Sequence, residues 1–549
     1  MKLHLPTILR AAVLVTVIGF SVNRVCAESI NLTIGTTTPE NVTGSKPGAY
    51  THDGDLVVEN SDRVGYIDDN GDLYSKFVGN QATQDLIIKG DLTIQGSNAK
   101  VAVGGSADYD GKPTADKPTM AKLQVSGNVT VKDNGYLAAT KTNLGSLTVE
   151  SGTVELHVGA MEPFGQGNDS FSTTDLQSGK QAYIKGELKV NGGSVSAGST
   201  ATYFNYGVPE QTKHCTTGFN GGITQTGGTI SVRGDSIIND HIVQSGDKES
   251  TMYFTDDLTI NSSTFKIEQS NDNAKLIIGR LAYVRGSASK TVNVIQSGNG
   301  YIQLAQGSRF KKDSTVNIIQ SGNGTIDVGG LISRETALAA GRNPGYESVR
   351  PNEFTSDYTT YTIDQRGATG TINVKNAITV SELKLDTGAT LNLTSELTLT
   401  DTDIDVFVTG NTDKGIVLGS NGSLELTEAT VSFHLSEAAV QSWFVGAEES
   451  TITQTITLIS GMSDAFAATL LGENGLLSLG EFDIATAELT RVLSGNEYYD
   501  IKDIELVVNK VDNDNKLQAV VTVENVPEPT TATLSLLALA ALAVRRRRK

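Results

Sequence analysis

One repeated core, Ile-Gln-Ser-Gly-Asn-Gly, constrains the fold of this chain more than any other feature. It occurs as VNVIQSGNGYI at residues 292–302 and as VNIIQSGNGTI at residues 316–326. Weaker copies extend the series in both directions. The recurring glutamines are Gln225, Gln244, Gln269, Gln296, Gln320 and Gln365. Repeats of about 20–25 residues that alternate strand and turn predict a β-solenoid, because stacked repeats bury apolar faces that one repeat cannot. In-register stacking would align these glutamines in a hydrogen-bonded ladder; a ligand-binding row is the alternative.

Related units without glutamine occur before and after this region. An example is GSLTVESGTVELHVG, which starts at Gly145. Its apolar residues alternate with polar ones, as half-buried strands require, and the turn sequences SGNG, ESGT, NGG and DTGAT indicate tolerance of positive φ. We therefore predict an all-β chain in which residues 28–410 form a parallel β-solenoid or β-helix with loop insertions.

Four stretches interrupt the rhythm and are predicted to be loops extruded from the repeats. They are residues 106–119, 161–175, 201–220 and 334–358. The third gathers the aromatic residues Tyr203, Phe204, Tyr206 and Phe219. Such side chains could stack on sugar rings, but covering a small apolar patch of the loop itself is the favoured interpretation.

The pattern changes near residue 411. Residues 411–525 contain strand patterns, one segment with helical character and the only tryptophan, Trp443. We interpret this region as a separate, smaller β-rich unit that can cap the open end of the solenoid.

The N-terminus has the features of a secretory signal peptide spanning residues 1–27. Lys2 and Arg10 flank its start, residues 11–22 are apolar, and cleavage between Ala27 and Glu28 is predicted. Sec machinery and signal peptidase are the implied partners. A lipoprotein signal ending at Cys26 is the less favoured alternative. Cleavage after Ala27 leaves Cys215 as the only cysteine, so the mature chain has no internal disulfide.

The C-terminus is built as a short membrane anchor. Residues 530–544 are apolar or small and about 22 Å long as a helix, against a bilayer core of about 30 Å. The basic cluster that follows should stay cytoplasmic. It consists of Arg545, Arg546, Arg547, Arg548 and Lys549. We predict a short transmembrane helix that holds the exported body at the inner membrane.

The motif Val526, Pro527, Glu528 and Pro529, the apolar segment and the basic cluster together resemble the PEP-CTERM sorting signal, here residues 526–549. The resemblance implies that an exosortase, a membrane protease of Gram-negative bacteria, processes the tail at or near the motif. It also implies export to the cell surface, outer envelope or extracellular space, in association with exopolysaccharide. More loosely, the repeats resemble autotransporter passenger repeats.

Catalytic and metal signatures are weak in this sequence. The net charge of -19 argues against nucleic-acid binding. Asp401, Asp403 and Asp405 share one strand face, but a solvated face is favoured over a cation site. We predict no catalytic, cofactor-binding or metal residues. The favoured function is a structural or adhesive surface or matrix protein that is not an enzyme; the alternative is a carbohydrate-active β-helix enzyme, a polysaccharide lyase or hydrolase.

Overall fold

The computed structural model describes residues 31–33, 50–59, 62–65, 85–103, 122–139, 141–156, 182–197, 200–202, 212–214, 217–232, 236–283, 289–305, 308, 310, 313–330, 359–400, 402–410, 414–427, 429–471, 476–479, 482–484, 492–494, 497–511 and 513–527. The chain divides into two compact units, Met1–Met161 and Glu162–Lys549, called unit 1 and unit 2 below. The predicted signal peptide and the tail beyond Pro527 lie outside the described residues.

Unit 1 consists of three rows of parallel strands. Its strands are β1 (Asn31–Thr33), β2 (Tyr50–His52), β3 (Leu56–Glu59), β4 (Arg63–Gly65), β5 (Leu86–Ile88), β6 (Leu92–Gln95), β7 (Lys100–Val103), β8 (Lys122–Lys132), β9 (Tyr136–Ala139), β10 (Lys141–Val149) and β11 (Thr153–Leu156). Strands β2, β5, β8 and β10 form one row, β3, β6, β8 and β10 the second, and β1, β4, β7, β9 and β11 the third. Each turn of three strand segments is called a rung here.

Unit 2 repeats this architecture over more rungs. Its first strands are β12 (Ala182–Ile184), β13 (Leu188–Val190), β14 (Ser194–Ala197), β15 (Thr200–Thr202), β16 (Thr212–His214), β17 (Thr217–Phe219), β18 (Ile223–Gln225), β19 (Gly228–Val232), β20 (Ser236–Ile238), β21 (His241–Gln244), β22 (Ser250–Ile260), β23 (Thr264–Gln269), β24 (Ala274–Tyr283), β25 (Thr291–Gln296), β26 (Tyr301–Leu304), β27 (Ser314–Gln320) and β28 (Thr325–Val328). These strands pair in parallel except β15 and β16, which form an antiparallel hairpin that overlaps the third predicted insertion.

Parallel pairing continues past residue 410. The next strands are β29 (Thr359–Asp364), β30 (Thr371–Val374), β31 (Ile378–Asp386), β32 (Thr390–Leu393), β33 (Glu396–Thr400), β34 (Asp403–Val408), β35 (Ile416–Leu418), β36 (Ser423–Thr427) and β37 (Ala429–Leu435). Strands β35, β36 and β37 stack in parallel on β32, β33 and β34. Complete rungs of three strands therefore extend to Leu435, beyond residue 411, and the division into domains stays a prediction.

Antiparallel pairing and helices follow the last rungs. The elements are α1 (Glu437–Phe444), β38 (Thr451–Met462), α2 (Asp464–Leu471), α3 (Leu476–Leu479), β39 (Phe482–Ile484), β40 (Val492–Ser494), β41 (Glu497–Val511) and β42 (Asp514–Pro527). The predicted helical segment contains α2 and α3, whereas α1 was not predicted; Ser436 caps it by accepting a hydrogen bond from the Ala439 N–H. Strand β42 pairs antiparallel with β38 on one side and with β41 on the other.

The core is a set of stacked aliphatic rows. One row in unit 2 runs through Leu188, Ile223, Ile242, Ile267, Val294, Ile318, Ile363, Leu383 and Ile404. Every member is buried. This pattern confirms a mainly β, mostly parallel architecture of the solenoid type. Among the described residues, no helix is long and apolar enough to cross a membrane. The helix predicted at residues 530–544 lies outside them and stays a prediction.

Candidate functional site

The six repeated glutamines occupy an interior position two residues beyond the aliphatic row. Adjacent strands place Gln225, Gln244, Gln269, Gln296 and Gln320 in direct register. All six side chains, including Gln365, have no exposed surface. Val190 holds the equivalent position on the rung before Gln225. The glutamines therefore replace core aliphatics over six consecutive rungs.

Each glutamine after Gln225 donates a hydrogen bond to the glutamine of the preceding rung. Nε2 of Gln244, Gln269, Gln296, Gln320 and Gln365 lies 2.8 to 3.0 Å from the preceding Oε1. The five bonds point in the same direction, so each amide polarises the next. This arrangement confirms the predicted glutamine ladder, a term kept below for these six side chains.

Nε2 also binds backbone at the turn. In Gln296 it donates to the Gly300 carbonyl oxygen at 2.9 Å, and Gln320 donates to the Gly324 carbonyl oxygen at 3.0 Å. An amide nitrogen carries two hydrogens; the preceding glutamine and this glycine carbonyl take both. The ladder thus fastens the strand before each turn to the turn itself.

The turn glycines serve close approach between rungs rather than positive φ. A Cβ on Gly324 would lie 2.4 Å from the Gly300 carbonyl oxygen and 2.7 Å from Oε1 of Gln296. Neither Gly300 nor Gly324 has positive φ, whereas Gly152 in ESGT and Gly193 in NGG do. The SGNG turns therefore do not use the positive φ that their sequence tolerates. The second glycine of QSGNG makes room for the ladder amide of the previous rung.

The ladder ends where the rung sequence changes. The Gln365 N–H donates to the Lys384 carbonyl oxygen, which places Gln365 beside Leu385 of the next rung. Oε1 of Gln365 is buried without a hydrogen-bond partner. The alternative of a ligand-binding glutamine row does not fit, because these amides are fully buried and bonded to one another.

Polar side chains on the outer face also bond one another across rungs. Nδ2 of Asn317 donates to Oδ1 of Asn293, and the Thr362 hydroxyl donates to Oδ1 of Asn317, both at 2.8 Å. Nearby, Oδ2 of Asp327 accepts from the Tyr301 hydroxyl and from Nζ of Lys375, each at 2.6 Å. Burial and this carboxylate raise the pKa of Tyr301. These hydrogen bonds link neighbouring rungs.

One acid–base cluster joins three rungs of unit 2. Oε1 of Glu187 accepts from the Thr224 hydroxyl at 2.5 Å and lies 3.8 Å from Nε2 of His241. Nδ1 of His241 lies 3.2 Å from Oδ2 of Asp240. Partial burial opposes ionisation of Glu187, but hydrogen bonds from Thr224 and Lys189 lower its pKa below the ordinary value. The general acid of a glycosidase needs a raised pKa. The pKa of Glu187 is lowered instead.

The predicted carboxylate face on β34 is paired with side chains of β37. Asp403 accepts from the Thr430 hydroxyl, and Oδ1 of Asp405 lies 2.7 Å from Nε2 of His434. The His434 ring stacks on Phe407 with centroids 4.5 Å apart. Asp401 lies outside the described residues. Within the described ranges, no group of three or more His, Cys, Asp or Glu residues could hold a metal ion.

One residue of the predicted aromatic loop belongs to the core. Phe219 ends strand β17 and is buried, because β17 stacks between β12 and β20. The insertion is therefore shorter than predicted. Tyr203, Phe204 and Tyr206 lie outside the described residues.

The sorting motif begins inside the last strand. Val526 pairs with Tyr498, and Pro527 pairs with Glu497, at the end of the β41–β42 hairpin. The other predicted processing residues lie outside the described residues. They are Ala27, Glu28, Glu528, Pro529, Arg545, Arg546, Arg547, Arg548 and Lys549. The hairpin partner of the motif was not predicted, since no local signal links residues 497 and 527.

Comparison with known protein families identifies a sorting motif in the C-terminal tail. Residues 525–549 match the PEP-CTERM protein-sorting motif. A comparison with curated proteins gives no match to this chain. The matched motif indicates a protein that is exported to the cell envelope or surface, with an exosortase as its processing partner.

Proposed function

We propose that the mature protein is a non-catalytic structural or adhesive component of the bacterial surface or extracellular matrix. The observation that carries this proposal is that polar side chains of the rungs are either buried in the core or hydrogen-bonded to side chains of neighbouring rungs. The glutamine ladder is fully buried, and the outer-face groups Asn293, Asn317 and Asp327 bond to side chains of neighbouring rungs. Groups used in this way stabilise a scaffold.

Association with exopolysaccharide is the second part of the proposal. It rests on the sorting motif and on the composition of the outer face. The net charge of -19 would repel a polyanion such as nucleic acid, so a neutral glycan is the favoured partner. Tyr136, Tyr183 and Tyr301 are half-buried on the rungs, and the exposed part of each ring is a surface on which a neutral sugar can stack.

The alternative, a carbohydrate-active enzyme, would use the Glu187 cluster. Its lowered pKa keeps Glu187 ionised and bonded to Thr224 and Lys189. That arrangement supports an ion-pair and hydrogen-bond role over proton donation. We therefore propose that the cluster holds rungs together.

A comparison of host strains tests the function. Deletion of this protein should leave exopolysaccharide chain length unchanged while it weakens matrix cohesion or surface attachment. The purified protein should bind the host exopolysaccharide without releasing new reducing or unsaturated ends. Release of such ends that is abolished by Glu187→Gln would replace the proposal with the enzyme alternative. Glu155→Gln, on the outer face of unit 1, is the matched control.

A further inference from the structure

The register of the last strand bears on where the sorting tail is cut. Strand β42 pairs with β41 along its length, from Val511 with Asp514 to Glu497 with Pro527. The first two residues of the sorting motif, Val526 and Pro527, are therefore strand residues. The described pairing with β41 includes Pro527.

This end of the hairpin is anchored on several sides. The Asn525 N–H donates to the Ser450 carbonyl oxygen at 2.7 Å. Nζ of Lys502 lies 2.5 Å from Oε2 of Glu524. Tyr499 is buried, and its ring centroid lies 5.1 Å from that of Phe444 in α1. Val523 has no exposed surface. Peeling β42 back past Val526 would disrupt these contacts.

A protease reaches a backbone bond only where that bond is not held within a strand pairing. Bonds within β42 meet this requirement only when the hairpin opens locally. We propose that exosortase cuts on the C-terminal side of Pro527, so that the mature protein keeps β42 complete. This inference rests on exosortase processing of the chain and adds the upstream limit of the cut.

The first test is the C-terminal residue of the mature protein, read by intact mass from host strains with and without exosortase. A product ending at Pro527 or at a later residue is expected. A product ending at Val526 or earlier would overturn the cut position but leave sorting intact. A chain that retains Arg545 to Lys549 in both strains would instead overturn the sorting function.

The second test needs no exosortase and asks whether pairing shields the upstream bonds. A nonspecific protease added to the folded full chain should trim the tail to about Pro527 and stop. Tyr498→Pro removes a backbone N–H opposite Val526 and should speed cleavage of the Asn525–Val526 bond by roughly tenfold, because cleavage follows the open population.

Lys510→Pro is the matched control, since it disrupts the same strand at the other end of the hairpin, opposite Asn515. It should leave the trimming limit at Pro527. If Tyr498→Pro fails to fold, Glu497→Pro is the second variant, since it affects only the last pair between β41 and β42. Equal cleavage of Asn525–Val526 in wild type and in the variant opposite the motif would show that pairing gives no protection and overturn the proposal.

Discussion

Unit 1 and the laddered rungs of unit 2 share the three-row parallel architecture but place their polar ladders differently. In unit 1, Oδ1 of Asp55 accepts from the Asp91 N–H at 2.8 Å, and Oδ1 of Asp91 accepts from the Asn128 N–H at 2.7 Å. These bonds lie at an exposed corner. In unit 2, the glutamine ladder lies in the core.

The chemistry of the two side chains explains the difference. A carboxylate only accepts hydrogen bonds, and stacked carboxylates repel one another when they are buried. An amide donates and accepts, so each glutamine satisfies its neighbour without charge. A buried ladder therefore requires amides, whereas an exposed corner tolerates carboxylates that take backbone N–H groups.

Gly324→Ala, in the turn beside the glutamine ladder, should strongly destabilise the protein. Its Cβ would lie 2.4 Å from the Gly300 carbonyl oxygen, a backbone atom that cannot rotate away. We expect a loss of about 3 kcal/mol in unfolding free energy, measured by denaturation of the mature protein.

Gly367→Ala is the control for that substitution. Gly367 has a φ of +73° but no atom within 4 Å of an added Cβ, so only backbone strain of about 1 kcal/mol is expected. Equal losses in the two variants would contradict the close-approach role of the QSGNG glycine.

Gln296→Leu should destabilise the protein by about 2 kcal/mol, because it leaves buried Oε1 of Gln269 without its donor and Nε2 of Gln320 without one acceptor. Gln95→Leu in unit 1 is the matched control. Gln95 is half-buried and donates to Glu59, so its loss should be under about 1 kcal/mol. Hydrogen exchange of rungs around residue 296 reports the change locally. If Gln95→Leu lowered the unfolding free energy as much as Gln296→Leu does, the proposed difference between the two units would be wrong.

Leu385→Gln probes the end of the ladder. Leu385 is buried beside a small apolar cavity that it lines with Val406, and the new amide can donate to the unpartnered Oε1 of Gln365. The expected loss is about 1 kcal/mol, against about 3 kcal/mol for Leu391→Gln, which is buried between Ile372 and Ile416 of the neighbouring rungs. Urea denaturation compares them, and identical losses would show that the ladder cannot be extended.

The repeat sequence predicted the parallel stacking and the glutamine ladder because both follow from a local pattern that recurs in register. Glutamine at one interior position and glycine four residues later carry that information in QSGNG. The cluster of Glu187 and His241 could not be predicted, since its members come from different rungs and repeat nowhere else. The pairing of Pro527 with Glu497 could not be predicted either, because no repeated pattern links these two positions. Phe219 was assigned to a loop because its surroundings lack the repeat, although burial places it in a rung.

Acid should weaken the outer face while it spares the glutamine ladder, which has no titratable group. Partial burial opposes ionisation of Asp364, but the guanidinium and backbone N–H of Arg366 lower the pKa of that carboxyl below its ordinary value. As pH falls, Asp364 therefore binds a proton in the unfolded chain, near a pKa of about 3.9, before it does so in the folded protein. The stabilisation is complete above that pH and is lost as pH falls through the lower folded pKa.

Asp364→Asn removes this pH dependence. Because the Arg366 side chain is 52% exposed, the loss at neutral pH should be at most about 1 kcal/mol. Melting temperatures of wild type and variant should converge as pH falls below about 4. Curves that stay parallel down to pH values of about 2 would place the acid sensitivity elsewhere. Gln320→Leu, in contrast, should lower the melting temperature by the same amount at every pH, since the interaction that it removes is between neutral amides.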